Sequence, residues 1–140
     1  MIPRVSPTTN KAVVEGVVAA LNARDFGRFG ELLADDVSWT IMGIDSPLGG
    51  VSMDRATVLE ELPKLIGLWS DGPRIVIKQL IAEGDWVVME GDGEGTFVDG
   101  SPYENHYASV FEVVDGRVRT MREYMDTEHV ANSVARVTAP

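Results

Sequence analysis

The hydrophobic period of this chain changes once, at Ser70-Asp71-Gly72-Pro73, and that change limits the folds open to it. Upstream, apolar residues recur at helical spacing. Thr8, Thr9 and Asn10 offer caps before a helix over residues 11–22, where Val13, Val14, Val17, Val18 and Leu21 make one face. Asp25 opens a second, short helix with Phe26, Phe29, Leu32 and Leu33 in one stripe, ended by Asp35-Asp36. Residues 37–42 read as a strand with Trp39 and Ile41 on one side, and residues 43–52, with Pro47, Gly49 and Gly50, as a loop. Asp54 caps a third helix over roughly residues 55–69, which Pro63 should kink or break. Downstream the period is two. Residues 74–82, 86–96, 103–114 and 117–126 are strand candidates, and the tail from Thr127 reads as weakly helical at best. Helices first and a meander of antiparallel strands after is an α+β pattern, with helices covering one face of a curved sheet.

Composition narrows the function. The chain has 12 Lys and Arg against 22 Asp and Glu, a formal net charge of −10. Nucleic acid and anionic membrane are therefore poor partners, because phosphate binding needs clustered cations. Cysteine is absent, which excludes disulfides, thiolate catalysis and thiolate metal sites. His106 and His129 are the only histidines, too few for a histidine-rich metal centre, so neither metal nor cofactor is expected. A length of 140 residues suits one domain over 1–140, with flexible ends expected at 1–8 and 136–140. Residues 1–11 hold no continuous apolar segment, and the run Val13 to Leu21 is broken by Glu15 and Gly16. Neither a secretory signal nor a membrane span is expected, and a cytoplasmic protein is.

Two stretches carry a resemblance. AVVEGVVAALNARDFGRFGELLADDVSW (12–39) resembles the first two helices and first strand of ketosteroid-isomerase-like proteins. YENHYASVFEVVDGRVRTMREYMDT (103–127) is similar to the last hairpin of SnoaL-like and limonene-epoxide-hydrolase-like domains. All belong to the nuclear transport factor 2-like superfamily, which implies a cone-shaped α+β barrel enclosing an apolar pocket. The superfamily hosts isomerases, hydrolases, cyclases and non-catalytic binders, so the resemblance speaks for the fold more than for the function. It also implies a homodimer, formed on the convex face of the sheet.

Residue by residue, the known catalytic sets are missing. Where steroid isomerases have a helix tyrosine, a carboxylate base and a protonated aspartate, this chain has Val17, Ile41 and Ser109. The positions matching the epoxide hydrolase set look like Trp39, Ile41, Gly91 and Gly93, with Glu123 in place of the water-activating aspartate. Asp126 matches the acid that SnoaL-type cyclases keep near the end of the last strand; its other reading is a strand end or a bond to a nearby amide.

Turn length decides which side chains meet. A two-residue turn at Asp115-Gly116 pairs Val114 with Arg117, allows a Glu112–Arg119 charge pair, and puts Tyr107 and Glu123 on opposite faces. A three-residue loop pairs Val113 with Arg117 and sets Tyr107 opposite Glu123. Asn105, Tyr107, Ser109 and Phe111 then share a face with Met121, Glu123 and Met125. The resemblance favours this second register. Glu123 and Tyr107 are the expected catalytic pair, and Trp39, Asn105, Ser109, Phe111, Met121 and Met125 the expected substrate-binding residues. A carboxylate among such apolar groups has a raised pKa and can act as acid or base near neutrality. The opposing reading is a surface glutamate paired with Arg122 or Arg119, or one hydrogen-bonded to Tyr107. His106 and Tyr124 fall on the convex face, as interface residues, and His129 lies in a solvated tail. Gly91, Gly93 and Gly95 either widen the pocket or bend their strand.

Two functions follow. One is a cofactor-independent isomerase, cyclase or hydrolase acting on an apolar, oxygenated ring compound. The other is a non-catalytic module of the same fold that binds an apolar ligand or serves in a dimer.

Overall fold

The computed structural model describes residues 7–47 and 49–140. The flexible start expected at residues 1–8 lies largely outside this range. In order the elements are α1 (Pro7–Asn22), α2 (Phe26–Glu31), β1 (Leu33–Ile41), β2 (Val51–Met53), α3 (Arg55–Ile66), β3 (Trp69–Glu83), β4 (Trp86–Phe97), β5 (Pro102–Val114), β6 (Arg117–Tyr124) and α4 (Thr127–Val137). The six strands form one mixed, unclosed sheet in the order β2-β1-β6-β5-β4-β3. The four strands β3, β4, β5 and β6 form the expected antiparallel meander, and β1, parallel to β6, with β2 antiparallel to it, makes the sheet mixed.

Local chemistry sets the helix starts. Asp25 accepts from the Arg28 amide at 3.0 Å and Asp54 from the Thr57 amide at 2.8 Å, each satisfying an N–H that the first helical turn leaves free. On α1, Val14, Val17 and Val18 are buried at helical spacing and pack toward the sheet. Its last residue, Asn22, acts as a substitute strand partner for the edge of β3. The Asn22 amide donates to the Ile75 carbonyl at 2.9 Å, and its oxygen accepts from the Ile75 amide at 2.8 Å.

Four boundaries differ from the sequence reading. Helix α2 ends at Glu31, and β1 begins at Leu33, ahead of Asp35-Asp36. The Leu32 carbonyl already accepts from the Val118 amide at 2.8 Å, and sheet pairing overrides the helical stripe. The supposed loop contains β2, whose Val51 and Met53 pair with Ile41 and Trp39; three residues are too few to show a period. Helix α3 continues through Pro63 but stops at Ile66, and Trp69 opens β3. Arg24 holds that transition, donating to the carbonyls of Trp69 at 2.9 Å and Gly72 at 2.8 Å. The apparent stop at 70–73 is thus a bulged stretch of a continuing strand, with Gly72 at φ +83°. Finally, the tail is a helix, capped by Asp126, which accepts from the His129 amide at 3.0 Å. Among the described residues no helix is long and apolar enough to cross a membrane.

Candidate functional site

The β5–β6 turn follows neither expected register throughout. It is the two-residue turn, with Val114 opposite Arg117, and Asp115 and Gly116 at φ +52° and +77°. Arg119 is then an extra residue: Val113 pairs with Val118, but Glu112 pairs with Thr120. This bulge shifts the pairing by one and so restores the shared face. Ser109, rather than Tyr107, stands opposite Glu123, and Phe111 stands opposite Met121. The Glu112–Arg119 charge pair does not form. Glu112 instead accepts from the Thr120 hydroxyl at 3.0 Å, and Arg119 reaches Asp36 at 3.4 Å.

A cavity of about 90 Å³ lies between the concave face of the sheet and helices α1, α3 and α4. It is lined by Trp39, Tyr107, Ser109, Phe111, Met121, Glu123 and Met125, seven of the eight residues expected at the site. Leu62, Leu65 and Ile66 of α3 and Val130 of α4 form part of its wall. No Lys, Arg or His lines it among the described residues.

Glu123 reaches this cavity from β6, where the parallel partner opposite it is Ile41. Its backbone is fixed: the Glu123 carbonyl accepts from the Met42 amide at 2.8 Å. Its carboxyl has no hydrogen-bond or ion-pair partner among the described residues, so neither the Arg pairing nor the Tyr107 bond forms. The surface it retains opens on an apolar enclosure, and burial pushes its carboxyl up to about 7. That value places an exchangeable proton near neutrality.

Tyr107 bonds instead to a residue the sequence reading left out. Its hydroxyl and that of Tyr103 are hydrogen-bonded to each other, and both rings line the cavity. Burial pushes the Tyr103 phenol up to about 12. Tyr107 is raised too, first by burial and then by the neighbouring Tyr103 and Glu123. Both stay protonated across the physiological range. Tyr103 was legible in principle, since it lies four residues before Tyr107 and shares its face.

Asn105 does not line the cavity. Its side chain clamps the β6–α4 junction, donating to the Asp126 carbonyl at 3.2 Å and accepting from the Asp126 amide at 3.0 Å. His129 is not a solvated tail residue. Its ring stacks on Tyr103 with centroids 5.7 Å apart, and its buried Nε2 has no partner. His106 is on the convex face as expected, exposed, with Nδ1 2.7 Å from Asp92 Oδ1.

The three glycines of β4 do not widen the cavity, which none of them lines. A Cβ on Gly93 would lie 2.6 Å from the Tyr107 hydroxyl, and one on Gly95 would lie 2.5 Å from the Asp71 carbonyl oxygen. One on Gly91 would lie 2.9 Å from the Val76 carbonyl oxygen. They seat Tyr107 and the bulged start of β3 against the sheet.

The same architecture recurs in solved structures. An NTF2-like protein from Burkholderia xenovorans LB400 is 24% identical, with a TM-score of 0.73 over 91% of this chain and 96% of that one. An LEH-like epoxide hydrolase from M. tuberculosis is 23% identical, with a TM-score of 0.74 over 96% and 98%. Wild-type IdmH, a putative polyketide cyclase from Streptomyces antibioticus, is 21% identical, with a TM-score of 0.74 over 90% and 98%. At these identities the likeness is one of fold. No curated protein matches the sequence significantly. Residues 14–121 match the SnoaL-like domain, a match that stops two residues short of Glu123. It runs from α1 into β6, well over half of the chain, and the protein belongs to the SnoaL-like domain family.

Proposed function

We propose that the protein is a cofactor-independent enzyme of the isomerase, cyclase or hydrolase type, with Glu123 as its acid–base residue. The observation that carries this reading is a carboxyl group at an apolar cavity, without a protein partner, whose proton is exchangeable near pH 7. A structural glutamate would have its lone pairs satisfied. The substrate is an apolar, oxygenated ring compound. Trp39, Phe111, Met121 and Met125 supply its apolar wall, and Tyr107 and Ser109 its polar contacts. The SnoaL-like family and the polyketide cyclase and epoxide hydrolase neighbours support that range of reactions. A homodimer accompanies this reading. On the convex face Val76, Ile81 and Tyr124 are half exposed, and Trp86 is exposed as well, with the Arg122 guanidinium 5.1 Å from the centre of its ring.

The test is hydrogen–deuterium exchange at the carbon next to the carbonyl in monocyclic ketones, beside hydrolysis of monocyclic epoxides. Turnover in either series that follows the ionisation of Glu123 and is lost in Glu123→Gln supports the enzyme. A Glu123 carboxyl that titrates at the ordinary value, without turnover, leaves a ligand-binding module.

A further inference from the structure

The strand register sorts the sheet side of the cavity into rows. One row crosses β4, β5, β6 and β1 as Met89, Ser109, Glu123 and Ile41, each opposite the next. The row beside it runs Phe111, Met121 and Trp39, and the side chains of both rows line the cavity. The first row is apolar at its ends and polar in the middle; the second is apolar throughout. Side chains directly opposite on antiparallel strands have Cβ atoms about 4.5–5.5 Å apart, so Ser109 and Glu123 stand side by side.

Neither group has a protein partner among the described residues. The indole N–H groups of Trp39 and Trp69 lack partners too, but they are buried within their aromatic clusters. The Ser109 hydroxyl oxygen and the Glu123 carboxyl oxygens instead keep accessible surface at the cavity. The Tyr103 and Tyr107 hydroxyls are engaged with each other. A ligand oxygen between Ser109 and Glu123 offers each of them a lone pair or a proton, because a hydroxyl and a protonated carboxyl both donate and accept. A second oxygen over the Trp39, Phe111 and Met121 row would lose its water and gain no bond. A charged group would meet a carboxyl and no cation.

We infer that Ser109 and Glu123 form a receiving site for a single ligand oxygen, with Ser109 as its specificity-determining residue, and that the ligand is a neutral ring hydrocarbon carrying one oxygen function. Its carbon body lies over Trp39, Phe111 and Met121. This deepens the proposed function and rests on it for the reaction, but the site stands whether or not turnover follows.

The pair also makes the preferred oxygen depend on pH. Burial holds the Glu123 carboxyl at about 7. Below that value it donates, with Ser109, to a carbonyl oxygen. Above it the carboxylate only accepts, and an alcohol replaces the ketone as the better fit. Around Glu123, Tyr103 and Tyr107 of β5 stay protonated, and the lining side chains of α1, α3, β1, β3 and β4 do not ionise. On α4 only Val130 lines the cavity; His129 stacks on Tyr103, and Asp126 accepts from the His129 amide.

The experiment compares cyclohexanone with methylenecyclohexane, its hydrocarbon isostere, and with cyclohexanol and 1,4-cyclohexanedione. Amide shifts of the 15N-labelled protein give the affinities, and carbonyl-13C cyclohexanone reports bonding at its oxygen. Ser109→Ala is expected to weaken the ketone about three- to tenfold, the ratio one hydrogen bond produces, and to leave the isostere unchanged. Isostere binding in that variant also shows that the cavity is intact. The bound carbonyl carbon is expected downfield of its position in alkane solvent, and further upfield in Ser109→Ala than in the parent. From pH 6 to pH 8 the ketone should lose about tenfold in affinity as Glu123 ionises, and cyclohexanol should not. Glu123→Gln should flatten the ketone profile, which separates Glu123 from His129 as the cause. The inference is overturned if Ser109→Ala affects ketone and isostere alike, or if the bound carbonyl resonates as in alkane. A dione that binds more tightly than the ketone, or a ketone that does not bind, overturns it as well. Exchange at the carbon next to the carbonyl judges the enzyme reading separately: a ketone that binds through Ser109 without exchanging removes the enzyme and keeps the site.

Discussion

The ring of Tyr107 occupies the space that a side chain on Gly93 would fill: a Cβ built there lies 2.6 Å from the Tyr107 hydroxyl oxygen. One strand's missing side chain therefore sets the position of a hydroxyl at the cavity. Gly93→Ala is expected to push Tyr107 from its place, break its bond to Tyr103 and destabilise the fold by about 1–3 kcal/mol. Denaturant unfolding checks the stability, and the tyrosine ring resonances check the displacement. Gly16→Ala is the control. Its Cβ would meet only the Leu32 tip at 3.4 Å, and removing a helix-interior glycine should stabilise by about 0.5–1 kcal/mol.

Glu123 makes stability depend on pH with a definite sign. Its carboxyl is raised from 4.5 to about 7 in the folded chain, so between those values the native state holds a proton that the unfolded state has released. The favourable protonated form is fully present below the unfolded value, and stability falls as pH rises toward and through 7. The loss is at most about 3 kcal/mol by pH 8. Glu123→Gln should remove this slope and leave the variant more stable than the parent at pH 8. Thermal unfolding from pH 5 to 8 measures it, and parallel curves for the two proteins would show that Glu123 ionises normally.

Asn105 ties β5 to the start of α4 through both the amide and the carbonyl of Asp126. Asn105→Ala leaves those backbone groups without partners and should cost about 1–3 kcal/mol. Amide exchange resolves where the effect lies. Protection is expected to fall first in α4, whose Val130 closes one side of the cavity, and ligand affinity with it.

On the convex face, Ile81 is 55% exposed and pairs across the sheet with Val88, which pairs in turn with Val110. Ile81→Asp at that face is expected to weaken the proposed dimer by about 10- to 100-fold in Kd. Sedimentation equilibrium measures it. A parent protein that sediments as a monomer at micromolar concentration would remove the dimer from the account.

Much of the fold was legible from residues alone, because the forces behind it are local. Val14, Val17 and Val18 recur at the spacing of one helix face, and Asp25 and Asp54 carry the oxygen that a first helical turn needs. Residues 103–114 alternate because one sheet face is buried and the other is not. The acidity, the lack of cysteine and the grouping of Glu123 with Met121 and Met125 were equally plain.

Tertiary structure decided what depends on partners distant in sequence. Nothing near Arg119 marks it as the bulged residue; its pairing with Asp36 and that of Thr120 with Glu112 form only when β1, β5 and β6 lie side by side. Ser109 faces Glu123 for that reason, and Tyr107 does not. The glycines of β4 read alike along the chain, yet the space at each is taken by an atom at least 14 residues away, the Tyr107 ring or a β3 carbonyl. Helix propensity, capping and alternation act over a few residues and can be read from them. Burial of a carboxyl, the partner of a hydroxyl and the orphaning of two indole N–H groups are properties of the space that the whole chain encloses.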